Sequence, residues 1–310
     1  MVARASAMFA LGSALAALPA LVAAQERGAP SSPSDITEIE VLGQRELARQ
    51  VFKQNLEQLT APLSVTDTIP RFYQPLCVEV AGIAPDQARV VAERITRTSR
   101  EAGLPPPQEG CRTNALVIVV DDPERMYDTL VSTRLDLVGI LPFRDVHARR
   151  LRDDVRGGKP VVWWNVLGAG NSQGSSFNDL GLAVAPDIAA SRTSAALYQP
   201  KVLSVVMYDA GRLGGATLDQ IADHAALHIL GTPRRQIAFD AVDVPSILSL
   251  FADEPGTAPP ALTDFDRAYL KGLYDLGPGA YQSRVPRSVV AAYAAQCEAQ
   301  GSDCRIRLRN

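Results

Sequence analysis

The residues with the clearest chemical potential are His224 and His228, set four apart in His224-Ala225-Ala226-Leu227-His228 and followed by Gly231. Four residues make just over one helical turn, so both imidazoles share a helix face. That is the spacing with which a helix presents two nitrogens to zinc. Hydrolysis at such a centre needs a carboxylate beside the first imidazole to take a proton from metal-bound water. Position 225 is alanine, and the place for a third ligand is filled by Arg234, which offers only donors. Catalytic zinc takes three protein ligands and structural zinc four. His147, Asp240, Asp243 and Glu254 are the remaining candidates. The expectation is no cofactor, with zinc on His224 and His228 as the alternative.

A second constellation is Gly170-Asn171-Ser172-Gln173-Gly174, which matches G-x-S-x-G. Asp209 or Asp219, then His224 or His228, follow it in the chain order of an α/β-hydrolase triad. A nucleophile elbow must run straight into a helix, whose N-terminal N–H groups serve the oxyanion. Here Ser175-Ser176-Phe177-Asn178-Asp179 leads to Gly181, a loop composition. The stretch reads as a long loop between strands, and a serine hydrolase using Ser172 is the second alternative. Gly168-Ala169-Gly170 fails as a phosphate loop, because its third glycine, Gly174, comes one residue late.

These residues need elements to position them. Leu47, Val51, Phe52, Leu56 and Leu59 recur at helical spacing across 44–59. A clearer helix spans 83–104, with Pro85 in its first turn and Gly103 as its C-terminal cap. Leu116 to Val120 is an unbroken apolar run, a strand buried on both faces. Helices are expected at 123–135 and 143–155, and strands at 160–167 and 202–208. The adjacent Trp163 and Trp164 point to opposite faces of their strand, so one belongs to the core and the other is a candidate ligand surface. Thr217 and Gln220 form a capping box for the helix carrying the histidines, which Gly231 and Pro233 end. Two further helices fall at 262–276 and 286–300, and Ile36 to Leu42 alternates as an edge strand does. The elements mix without regular βαβ alternation, which makes the fold class α+β, a mixed central sheet with helices.

The order of elements over residues 200–276 resembles the metzincin-like branch of zinc peptidases. The counterparts are the strand Val202–Tyr208, the helix His224–Gly231, a turn at Pro245-Ser246-Ile247-Leu248, and the helix from Leu262-Thr263-Asp264-Phe265-Asp266 to Leu273-Tyr274. The chain is also similar to a group of secreted bacterial proteins, of alphaproteobacterial type, that look like degenerate relatives of that fold. The resemblance implies a zincin-like C-terminal part. The alanine at 225, the arginine at 234 and the lack of methionine in 245–248 imply a scaffold without its catalytic set.

Residues 1–24 read as a secretory signal: Arg4, an apolar core from Met8 to Val22, and small residues at Val22-Ala23-Ala24 ahead of Gln25. The core is too short to span a bilayer, and no transmembrane segment is expected after cleavage. Residues 25–35 are a Pro- and Ser-rich leader, followed by a single domain over 36–310. That domain divides into an N-terminal helical part (36–112), a zincin-like core (113–276) and a C-terminal helix and tail (277–310). The chain's four cysteines are an even set in an oxidising compartment. They allow three pairings, of which Cys77–Cys111 with Cys297–Cys304 brackets one helical unit and clips the tail. A net charge of −3, with arginines interleaved among acids, excludes nucleic acid as a partner class. Together these readings predict a periplasmic or secreted, non-enzymatic protein, with a peptide or an envelope protein as its partner.

Overall fold

The computed structural model describes residues 50–61, 67–139, 145–168, 170–171, 195, 197–252 and 257–300. All of them belong to one compact unit, residues 44–310. Helix α1 occupies 50–59. Strand β1 (Val78–Ala81) leads into helix α2 (Pro85–Ala102) and strand β2 (Ala115–Val120). Helices α3 (Pro123–Thr133), α4 (Leu135–Val138) and α5 (Asp145–Arg156) precede strand β3 (Val161–Leu167). The short pair β4 (Gly170–Asn171) and β5 (Leu197–Tyr198) precedes the long strand β6 (Lys201–Asp209). Helices α6 (Leu218–Leu230), α7 (Asp264–Tyr274) and α8 (Val285–Ala299) complete the described chain.

The main sheet has the order β1-β2-β6-β3. β1, β2 and β6 run parallel and β3 runs antiparallel on the edge. This is the mixed sheet of an α+β fold, although β1-α2-β2 is one parallel crossover unit that the alternation in sequence did not disclose. β1 itself was missed. Four residues, Val78-Glu79-Val80-Ala81, carry too little pattern to announce a strand, and pairing with β2 makes it one. The expected helix over 123–135 is instead two helices, broken at Arg134, whose φ of −140° is not helical.

Strand alternation divides the core in two. Val117, Val119, Val206 and Tyr208 face a large cluster that takes in α1, α2, α6, α7 and α8. Ile118, Val162, Trp164, Val205 and Met207 face a smaller one under α3, α4 and α5. β2 is thus buried from both sides, as its apolar run requires. The caps of α2 stand where the sequence places them. Pro85 opens the helix, and Gly103 (φ 118°) closes it, its N–H donating to the Arg100 carbonyl. A disulfide joins Cys77 to Cys111 across this unit. Cys297 is buried in α8. Cys304 and the Cys297–Cys304 pairing lie outside the described residues, as do Ile36 to Leu42 and the signal and leader segments. Among the described residues, no helix is long and apolar enough to cross a membrane.

Candidate functional site

Helix α6 starts on the expected capping box. Thr217 Oγ1 accepts from the Gln220 N–H at 3.2 Å, and Gln220 Oε1 accepts from the Thr217 N–H at 3.0 Å. From Ile221 to Leu230 every residue of the helix is buried. A helix buried all round has no solvent face on which to leave polar groups. Each polar side chain in it must therefore find a partner or go without hydration.

Asp223 is satisfied twice over. Its carboxylate accepts from Arg94 Nε and Nη2 at 2.7 and 2.8 Å, and from the Leu262 N–H at 2.7 Å. The Asp223 carboxylate is the main cause holding the Arg94 guanidinium's pKa above its ordinary value. His224, the first motif histidine, turns to the sheet: its Nδ1 lies 2.8 Å from the Tyr208 hydroxyl. His228 Nδ1 is buried and has no hydrogen-bond partner among the described residues. The two imidazole centroids are 4.5 Å apart. Phe251 stands edge-on to His224 at 5.2 Å, and the Trp163 ring lies 5.4 Å from His228. Both rings are thus wrapped in aromatic carbon, and burial pushes the His224 pKa down to about 3. Burial lowers His228 as well, helped by His224 and by the nearby Lys201 ammonium. Burial also raises the Tyr208 hydroxyl well above its ordinary range. The three groups are neutral at physiological pH.

The far end of α6 is closed by side chains. Lys201, buried at the start of β6, donates from Nζ to the Ile229 and Gly231 carbonyls at 2.7 and 2.5 Å. Tyr274 donates to the Leu230 carbonyl at 3.2 Å. Burial lowers the Lys201 pKa to about 7, while carbonyls at the negative end of a helix act against that fall. Gly231 ends the helix as the sequence suggests, and does so in extended backbone (φ −85°, ψ −171°). Its reason is closeness: a Cβ there would stand 2.7 Å from the Leu227 carbonyl oxygen and 2.9 Å from the Tyr269 ring.

Among the described residues the donor set falls short of a zinc site. Two imidazoles converge, but no group of three histidine, cysteine, aspartate or glutamate side chains comes together among the described residues. Ala225 is in the core at 0% exposure. Arg234 donates from Nε to the Thr60 carbonyl at 2.8 Å, away from any ligand role. Asp240 and Asp243 are exposed. Glu254 and the His147 side chain lie outside the described residues. The turn at 245–248 is organised by a carboxylate: Asp266 accepts from Ser246 Oγ at 2.6 Å and from the Ile247 N–H at 2.9 Å.

Ser172 also lies outside the described residues. The aspartates suggested for a triad are committed elsewhere. Asp209 accepts from the Gly211 N–H and pairs with Arg212, and Asp219 pairs with Arg94. The short strands β4 and β5 pair antiparallel, Gly170 with Tyr198 and Asn171 with Leu197. Trp164 is the core member of the tryptophan pair, donating to the Leu137 carbonyl at 2.8 Å.

Sequence reasoning did not find what lies on the other flank of Trp163. A groove of about 240 Å3 runs beside β3, lined by Trp163, Asn165 and Leu167 from the strand. Thr232, Pro233 and Arg235 beyond α6, Tyr269 and Leu273 of α7, and Ile69 and Pro70 complete most of its wall. The Arg235 guanidinium lies 5.5 Å from the Trp163 ring centroid and pairs with Asp154. Asn165 Oδ1 is buried with no donor among the described residues. The alternation of β3 was the one signal in sequence that placed these three side chains on a common face.

Comparison of the chain with protein-family models, with curated proteins and with solved structures returns no match.

Proposed function

We propose that this chain is a non-catalytic binding protein of the periplasm or the exterior, with a zincin-like C-terminal part that retains the architecture of a hydrolase without its chemistry. The observation that carries the reading is the state of the histidine pair. His224 is spent on Tyr208, His228 is enclosed against Trp163, and Ala225 packs in the core where a general base would have to stand. No carboxylate replaces that base among the described residues around the two rings. The peptide or envelope-protein partner rests on the groove beside β3, which is apolar and adjoins an edge strand. The extracytoplasmic address rests on the signal-like N-terminus and agrees with the Cys77–Cys111 disulfide, a bond that persists in oxidising compartments.

The test uses the mature chain from Gln25, purified from the periplasm with its disulfide intact. Metal analysis is expected to find no stoichiometric zinc, and zinc titration is expected to leave the melting temperature unchanged. Zinc at one equivalent, lost on His228→Ala together with hydrolysis of a peptide library, would make the protein an enzyme and overturn the reading. Labelling of Ser172 by a fluorophosphonate probe would overturn it in favour of a serine hydrolase.

A further inference from the structure

We infer that a single water molecule is bound in the sealed layer between the sheet and α6, where it bridges Asn165 Oδ1, Ser204 Oγ and His228 Nδ1 and so ties α6 to both β3 and β6. The first ground is a condition that these three atoms, from three elements, share. Each is buried, and none has a hydrogen-bond partner among the described residues. Buried polar atoms are nearly always met, by protein or by ordered water.

The second ground is placement. Asn165 stands directly opposite Ser204 in the antiparallel pairing of β3 with β6. The Ser204 N–H donates to the Asn114 carbonyl at 2.9 Å, away from β3. The two residues therefore form a non-hydrogen-bonded pair, the kind in which facing side chains come closest, with Cα atoms about 4.5 Å apart. Alternation puts both on the face of Trp163, Val206 and Tyr208, toward α6. His228 meets that face from the helix. Its ring lies 5.4 Å from that of Trp163, two residues before Asn165. The next residue of the helix, Ile229, gives its carbonyl to Lys201 Nζ at 2.7 Å, three residues before Ser204. His228 is thus held between Trp163 and Lys201, over the stretch of sheet that carries Asn165 and Ser204.

Chemistry is the third ground, and it selects the ligand. A cation would find one imidazole and two neutral oxygens, and the Lys201 ammonium acts against positive charge at His228. An anion gains nothing from Lys201, whose Nζ is spent on the Ile229 and Gly231 carbonyls. The ligand is therefore neutral. It is also small, because Asn165 lines the groove while its Oδ1 is closed off from it. It must both donate and accept: the Asn165 oxygen takes a proton, the Ser204 hydroxyl gives or takes one, and His228 Nδ1 does either according to its tautomer. Water meets all of these terms, and about three hydrogen bonds is its usual number in a buried site.

The experiment is a high-resolution crystal structure of the mature, disulfide-intact protein. One ordered oxygen within about 3.2 Å of all three atoms is expected. A direct bond between two of the three, a side chain from elsewhere in the chain on any of them, a metal ion with anomalous signal in that place, or no density there refutes the bridge. In solution, the His228 ring protons should show nuclear Overhauser cross-peaks to water, of the sign that a long-lived bound molecule gives. Asn165→Leu keeps the Ser204 hydroxyl, which also exchanges with water, and should weaken the cross-peak several-fold. Combining it with Ser204→Ala should abolish the cross-peak, and both variants should keep the circular dichroism spectrum. A cross-peak of undiminished strength in the double variant would trace the water to another place and refute the bridge as well.

Discussion

Trp163 belongs to two regions that treat polar groups in opposite ways. Its ring packs on His228 in the sealed layer between β6 and α6, and it also lines the groove beside β3. In the sealed layer the suggestive residues have become structure. Asp223 ties α6 to α2, His224 ties it to β6, and the rings are neutral and shut in by aromatic carbon. In the groove, residues without any motif leave a buried acceptor unmet and an edge of backbone unpaired among the described residues. The difference teaches that capacity for chemistry in a sequence and capacity for contact in a fold need not coincide. The recognisable histidines are core, and the groove begins one side chain away.

The largest expected effect tests whether the motif helix is truly structural. Asp223→Ala strips Arg94, 22% exposed at its side chain, of its buried partner. Arg94 keeps Asp219 as a partner, so the loss in urea unfolding should fall short of the about 3–5 kcal/mol of a fully stranded buried charge and reach about 1–3 kcal/mol, the cost of leaving the Leu262 N–H unmet. A loss under 1 kcal/mol would mean that the α2–α6 tie is incidental.

Acid should separate the two regions next. Burial holds both folded-state histidines below the value of ~6.5 that they have when unfolded. The unfolded chain therefore binds more protons as pH falls, and stability, complete above ~6.5, is lost below it. The slope is about 1.4 kcal/mol per pH unit for each histidine. Chemical melts between pH 7 and pH 5 should show it, and a His224→Phe, His228→Leu double variant should remove most of it. An equal slope in the double variant would place the titrating groups elsewhere.

The smallest effect concerns the two imidazoles against each other. His224→Leu leaves the Tyr208 hydroxyl with only a 3.4 Å contact to the Ile221 carbonyl, and an unmet buried group costs about 1–3 kcal/mol. His228→Leu removes a nitrogen, Nδ1, that lacks a partner among the described residues, so its cost should fall within about 1.5 kcal/mol of zero, as for a volume-conserving core exchange. Thermal melts that rank the two the other way would contradict the hydrogen-bond assignment.

Much of the scaffold was legible because its signals are local. Pro85 and Gly103 bracket α2, Thr217 and Gln220 cap α6, and the apolar run 116–120 marks a strand buried on two sides. What escaped depends on partners far away in sequence. β1 is a strand because of β2, and Asp223 meets Arg94 across 129 residues. His224 meets the Tyr208 hydroxyl of β6, a partner that the spacing of the histidine pair does not name. The groove draws residues from β3, the end of α6, α7 and the segment near Ile69, and no pattern within any one of them reveals a shared wall.

Lys201 fastens the chain to itself. One ammonium at the entry of β6 clasps the exit of α6 some thirty residues later, so strand, connecting turn and helix make a belt with a single buckle. The residues just past that buckle, Thr232 and Pro233, form part of the groove wall.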